Sequence, residues 1–192
     1  MSRTDSFMLS RRAALGLLAG ALLFACDGTL ISIDVSGEAE TVVGEGTILE
    51  ELVGAMGFGD FVSMDITSAS ELENQGVEPG DIQDVALTVF SLEVVDPAGG
   101  DLAFLESVEL YVEGPDLPRQ LVASADEFPE GQTRVDFAVE DVDLTDYVVS
   151  QSLTLETNVT GRRPEEDTTV KASYTLSVGV TSQGACAFVQ GG

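Results

Sequence analysis

Between Val170 and Val180 every second residue is apolar: Val170, Ala172, Tyr174, Leu176, Val178 and Val180, separated by Lys171, Ser173, Thr175, Ser177 and Gly179. Successive side chains on a strand point to opposite faces, so this period describes a strand with one face buried and one face in water. The period recurs along the chain: Ile31, Ile33 and Val35; Val62, Met64 and Ile66, between Phe61 and Thr67; Val108, Leu110 and Val112; Leu121 and Ala123; Val135, Phe137 and Val139; Leu153, Leu155, Thr157 and Val159. Val85, Leu87 and Val89 share one parity, and Phe90, Leu92 and Val94 take the other. A switch of parity within one run predicts a bulge near Val89-Phe90, or a strand buried on both faces.

Turn residues punctuate these runs. They are Gly37, Gly44 and Gly46; Pro79-Gly80-Asp81; Asp96-Pro97-Ala98-Gly99-Gly100; Gly114-Pro115; Asp126 to Gly131; and Gly161 to Asp167. About eight or nine short strands at such spacing predict an all-β fold, an antiparallel β-sandwich of immunoglobulin or fibronectin type. A parallel sheet would need long crossover helices. One helix is expected over Thr47 to Met56, where Ile48, Leu49, Leu52, Val53 and Met56 recur at helical spacing and Thr47 and Gly57 cap the ends. Ser70-Glu71-Leu72-Glu73 fits a capping box and predicts a further single turn to Gln75. Three finer expectations follow. Gly37 ends the first strand, with Thr41 to Val43 as a separate short edge. Arg134 to Val139 is one strand. The last two runs pair as a hairpin across residues 161–167.

The amino-terminal part reads differently. Arg11 and Arg12 precede thirteen uncharged residues, Ala13 to Ala25, followed by Cys26-Asp27-Gly28. A basic flank, a short apolar stretch and a small residue before the break describe a secretory signal. Spanning a bilayer takes about 20 apolar residues, so this stretch is too short to remain as a membrane helix. The expected organisation is a signal peptide over 1–25, an anchored terminus at 26–29, a β domain over 30–181 and a loose Gly-rich tail over 182–192.

Leu23-Phe24-Ala25-Cys26 resembles the lipobox of prokaryotic lipoproteins, with Phe24 bulkier than the usual residue at its place. The resemblance implies cleavage before Cys26 and acylation of its thiol. One acyl chain holds a protein reversibly, whereas two or more anchor it stably. An ordinary signal peptide with an incidental cysteine is the alternative, and a Cys26–Cys186 disulfide then becomes the competing reading. Ser10-Arg11-Arg12-Ala13-Ala14-Leu15 also resembles a twin-arginine export signal. Asp27 resembles an inner-membrane retention residue; cell membrane and outer membrane both stay open. The lipoprotein resemblance thus implies an exported domain facing the periplasm or the exterior, with the lipid bilayer as its first partner.

Charge narrows the partners. The chain of 192 residues has net charge −26, and its first 25 residues hold Arg3, Arg11, Arg12 and Asp5, net +2, so residues 26–192 carry −28. Nucleic acid is excluded as a partner, because binding it takes clustered Lys and Arg. An anionic membrane surface repels such a domain, so lipid must do the anchoring. Strong acidity favours solubility and weak cation binding, and is also the habit of proteins from saline surroundings.

Candidate chemistry is sparse. Asp141, Asp143 and Asp146, with Glu140 before them, form the densest set of oxygen ligands and are the weak candidates for calcium. The EF-hand pattern fails, since Asp146 stands where its loop glycine belongs and Ser152 where its final glutamate belongs. Acids at the start of a helical turn explain the same residues without a metal. Zinc is disfavoured by the absence of histidine. Glu165-Glu166-Asp167 beside Arg162 and Arg163 predicts a local ion-pair cluster. Cys186 has uncharged neighbours and no base to lower its pKa, which argues against a nucleophile. No catalytic residue is assigned and no cofactor is expected. The reading is a non-enzymatic envelope lipoprotein with a structural or protein-binding role. The rivals are a calcium-dependent adhesion or ligand-binding module and, last, a hydrolase using paired carboxylates.

Overall fold

A computed structural model of the chain describes residues 31–45, 72, 74, 76–150 and 154–181. The leader, Cys26, the helix expected over Thr47 to Met56, the strand expected over Phe61 to Thr67, most of the turn at 70–75 and the tail with Cys186 lie outside the described residues.

The chain is all-β and antiparallel. Among the described residues the strands are β1 (Ile31–Val43), β2 (Ile82–Asp96), β3 (Leu105–Gly114), β4 (Leu117–Ala125), β5 (Arg134–Asp136), β6 (Ala138–Val139), β7 (Thr154–Gly161) and β8 (Thr168–Val180), with a short helix, α1 (Thr145–Val149), between β6 and β7. They form two four-stranded sheets, ordered β1-β8-β2-β5 and β6-β4-β3-β7. β8 carries the longest alternation in the sequence and is central, paired with β1 on one side and β2 on the other. All six of its apolar side chains are buried.

β1 corrects the first expectation. It runs unbroken through Gly37 to Val43, pairing with β8 from Ile31↔Val180 to Val43↔Thr168. Gly37 lies opposite Tyr174. A Cβ built at Gly37 would fall inside the Tyr174 ring, so the glycine makes room for an aromatic lying across the strand. A glycine in a strand interior marks such close approaches as well as strand ends.

The parity switch in β2 is a bulge. The register with β8 shifts between Leu87 and Val89, so Leu87 and Phe90 both turn inward while Val89 is exposed. β4 does the same at Val122, where the register with β3 shifts and both Val122 and Ala123 are buried. Each extra residue re-aims the side chains that follow.

The alternation Val135, Phe137, Val139 is divided between sheets: β5 pairs with β2, and β6 pairs with β4. Phe137, between the two, donates its N–H to the Phe90 carbonyl at 2.9 Å and sets its ring edge-on to Phe90, centroids 4.9 Å apart. The expected hairpin of the last two strands is also corrected. Among the described residues β7 pairs with β3, whereas β8 lies in the other sheet. The backbone at Gly161 is pressed against Phe104-Leu105, where an added Cβ would come within 2.9 Å of the Leu105 Cα. Arg162 N–H then bonds the Phe104 carbonyl at 2.7 Å. These contacts hold the end of β7 in its own sheet, and residues 162–167 carry the chain across to β8.

One continuous cluster of buried side chains draws on both sheets. Val35, Val85, Phe90, Leu92, Val108, Leu110, Val112 and Leu176 are at its centre, with Tyr147 and Val148 of α1 added at one end. Each fully buried side chain of this size contributes about 1.5–3 kcal/mol relative to exposure. Polar residues occupy most of the outer faces, with Val42 of β1 and Val89 and Val95 of β2 exposed among them. Lys171, the one lysine of the chain, lies between Glu93 at 3.3 Å and Glu38 at 3.8 Å.

Candidate functional site

The acidic run ahead of α1 folds into a capped turn. The Thr145 N–H and hydroxyl both donate to Asp143 Oδ1, at 2.9 and 2.6 Å. Asp143 thus satisfies an otherwise open donor at the helix start. The Val85 N–H donates to Thr145 Oγ1 at 3.0 Å, and the Leu144 N–H donates to the Val85 carbonyl at 2.7 Å, which ties the turn to β2. Asp146 lies in the first turn of α1. Among the described residues no three carboxylates or other ligands gather into a group able to hold a metal, so Asp141, Asp143 and Asp146 are not brought together as a ligand set. Two outcomes follow. Millimolar calcium produces no saturable shift in melting temperature in a thermal titration, only the gradual change that matched ionic strength also gives. Thr145→Ala destabilises the domain by about 1–2 kcal/mol in urea unfolding, because the Val85 N–H loses its acceptor.

Among the described residues two polar clefts lie elsewhere, a wider one of about 480 Å³ between the end of β4 and β5, lined by Asp126, Glu127 and Arg134, and a smaller one richer in charge. The loop after β2 and the segment joining β7 to β8 enclose the smaller cleft, of about 270 Å³. Asp101, Glu130, Arg162, Arg163, Glu165 and Glu166 line it. Only five basic side chains follow Cys26, and two of them are here. Arg162 donates from Nε to the Ala103 carbonyl at 3.3 Å and faces Glu165 at 3.9 Å, so the ion-pair cluster expected from the sequence includes one observed pair. Both partners are exposed, and such a pair contributes little to stability. Thr168, at the back of the cleft, gives its hydroxyl to the Glu166 carbonyl at 3.1 Å. Guanidinium groups are permanent cations and donate only. The cleft therefore offers charge recognition.

Asp101 is the residue that sequence reasoning missed. Its carboxylate accepts from the Gly131 N–H at 2.7 Å and the Ala103 N–H at 3.1 Å, joining the loop after β2 to the loop after β4. The Gly131 bond first, then the Ala103 bond, with Arg162 nearby, holds this carboxyl below the usual aspartate range. A depressed pKa in the folded state means stability present above the unfolded value, about 3.9, and lost as pH falls through the folded one. Thermal melts below about pH 4 therefore show an acid-side loss in the wild type that is reduced in Asp101→Asn. An Asp two residues before a backbone N–H is an Asx-turn pattern, which was the available local signal. The second bond, from thirty residues away, had none.

On the outer face of the second sheet, Arg119 of β4 lies over the Tyr111 ring at 3.4 Å and donates to Glu156 of β7 at 2.9 Å. This links three adjacent strands across one face. No protein-family model, curated protein or solved structure matches the chain.

Proposed function

We propose that the chain is an exported lipoprotein of the cell envelope, anchored through acylated Cys26, whose β domain has a structural or protein-binding role. The observation that carries this reading is Leu23-Phe24-Ala25-Cys26 directly behind a basic flank and a short apolar stretch, five residues before β1 begins. Five residues span at most about 17 Å, so there is no stalk. The end of the domain that holds Ile31, Val180 and Ile82 then lies close to the lipid surface. The polar cleft between Asp101 and Arg162 is at the other end, beyond the Val43↔Thr168 pair, and faces partners.

The two sheets pack face to face as a sandwich in this reading; support comes from the single buried cluster shared by both. The strand order adds a distinction. β1 sits beside β8, the last strand, whereas the first strand of an immunoglobulin sheet sits beside the second.

The test is mass spectrometry and fractionation of the native protein, with Cys26→Ser as the comparison. The expected result is a mature chain beginning at acylated Cys26 and pelleting with membranes, while the serine variant keeps its leader or turns soluble. A wild-type chain that carries an unmodified Cys26 overturns the reading.

A further inference from the structure

Of the five basic side chains after Cys26, four face a carboxylate of the domain: Arg119 with Glu156 at 2.9 Å, Arg134 with Asp136 at 2.8 Å, Arg162 with Glu165 at 3.9 Å and Lys171 with Glu93 at 3.3 Å. Arg163 has no such partner among the described residues, although acids far outnumber bases in residues 26–192. It is exposed, and with Arg162 it lines the cleft of about 270 Å³. In so acidic a domain, a guanidinium left open in a cleft is a place for a carboxylate from outside. Its planar fork binds one through two parallel hydrogen bonds.

The backbone around Arg163 is held. Pro164, the next residue, is buried. Before it, the Arg162 N–H bonds the Phe104 carbonyl at 2.7 Å; after it, the Thr168 hydroxyl bonds the Glu166 carbonyl at 3.1 Å. Asp101 fixes the rest of the lining. It accepts from the Ala103 and Gly131 N–H groups, and the second bond seats Glu130, the residue before Gly131. A lining already ordered gives up little freedom when a ligand enters, which lowers the cost of binding.

Charge selects the ligand. Asp101, Glu130, Glu165 and Glu166 line the cleft against two guanidiniums. Phosphate or another bare anion meets this excess of carboxylates and is repelled. A metal ion finds no set of ligands, since no three acids gather to hold one among the described residues. Asp101 spends one oxygen on each backbone N–H, and Glu165 faces Arg162. Glu130 and Glu166 remain for a cation carried by the ligand. The volume lies just under the range of about 300–1,000 Å³ for small-molecule sites, which suits a group of amino-acid size.

We infer that this cleft binds a carboxylate that carries an ammonium group on a short alkyl chain, as in free lysine or the C-terminal lysine of a peptide, with the carboxylate on Arg163 and the ammonium toward Glu130 and Glu166. The inference goes beyond the anchoring and stands whether or not Cys26 is acylated.

Calorimetric titration of the full chain at low salt tests it. The probes are L-lysine, cadaverine, which lacks the carboxylate, hexanoate, which lacks the ammonium, and inorganic phosphate. Lysine binds saturably, one per chain, and at least about tenfold more tightly than the other three, the value of one charged hydrogen bond. Arg163→Gln weakens lysine by about tenfold, leaves cadaverine as it was and leaves the melting temperature unchanged, because the side chain is exposed and holds nothing in the fold. Nα-acetyl-lysine separates the two sources of this chemistry. Binding as tight as that of lysine assigns the cleft to a polypeptide's C-terminal residue, and binding about tenfold weaker assigns it to the free amino acid. The inference is overturned if neither lysine nor its acetylated form binds saturably. Cadaverine or phosphate binding as tightly as lysine overturns it too, as does an Arg163→Gln chain that binds lysine like the wild type.

Discussion

Phe90→Ala lowers the free energy of unfolding by about 3–5 kcal/mol, the range for deleting a buried phenylalanine side chain. Phe90 is 1 % exposed and follows the β2 bulge, so it points into the shared cluster at the level where the chain crosses from β5 to β6. Its ring meets Phe137 edge-on, and Phe137 meets Phe128 in turn at 6.3 Å. Removing Phe90 leaves a cavity beside the crossover residue, whose own backbone N–H bonds the Phe90 carbonyl. Urea unfolding measures the loss. A double-mutant cycle with Phe137→Ala separates the ring pair from the cavity: the coupling is about 0.5–1.5 kcal/mol if the edge-on contact is specific. Strict additivity would show that the two rings act as unrelated filler.

Gly37→Val is the second large loss, about 2–3 kcal/mol, and it runs against propensity. Valine favours strands over glycine, so an exposed strand site would gain from the change. At Gly37 the new Cβ meets the Tyr174 ring, which must leave a buried position against the inner face of β1. The clash identifies its own remedy. In a Tyr174→Ala background, already destabilised by loss of the ring, the additional cost of Gly37→Val falls close to zero or becomes a gain. A full penalty in that background would mean that the backbone, and not the ring, requires glycine there.

The calcium titration separates the acidic turn from a ligand set. The exposed carboxylates are solvated, and Asp143 spends its Oδ1 on Thr145. Cation binding of the weak, delocalised kind expected for a chain of net charge −26 shows as a gradual ionic-strength effect rather than a saturable shift in melting.

The sequence by itself determined the class of the fold, most of the strands and their buried faces. Val170 to Val180, Val108 to Val112 and Leu155 to Val159 alternate with period two, and a strand translates that period into two faces with no help from elsewhere. It also located the turn chemistry and the β2 bulge, since a change of parity is visible in one dimension. Tertiary structure decided the rest. Whether Gly37 ends a strand or admits a ring depends on what lies opposite, and Tyr174 is 137 positions away. The division of Arg134 to Val139 between sheets, and the separation of β7 from β8, turn on which edge each segment meets. Alternation reports that a strand has an inside face; it carries no record of which strand lies beside it, because pairing is chosen by backbone groups that every residue shares. Asp101 is the same case in miniature: the carboxylate is local, but its Gly131 partner arrives only when two loops close on each other.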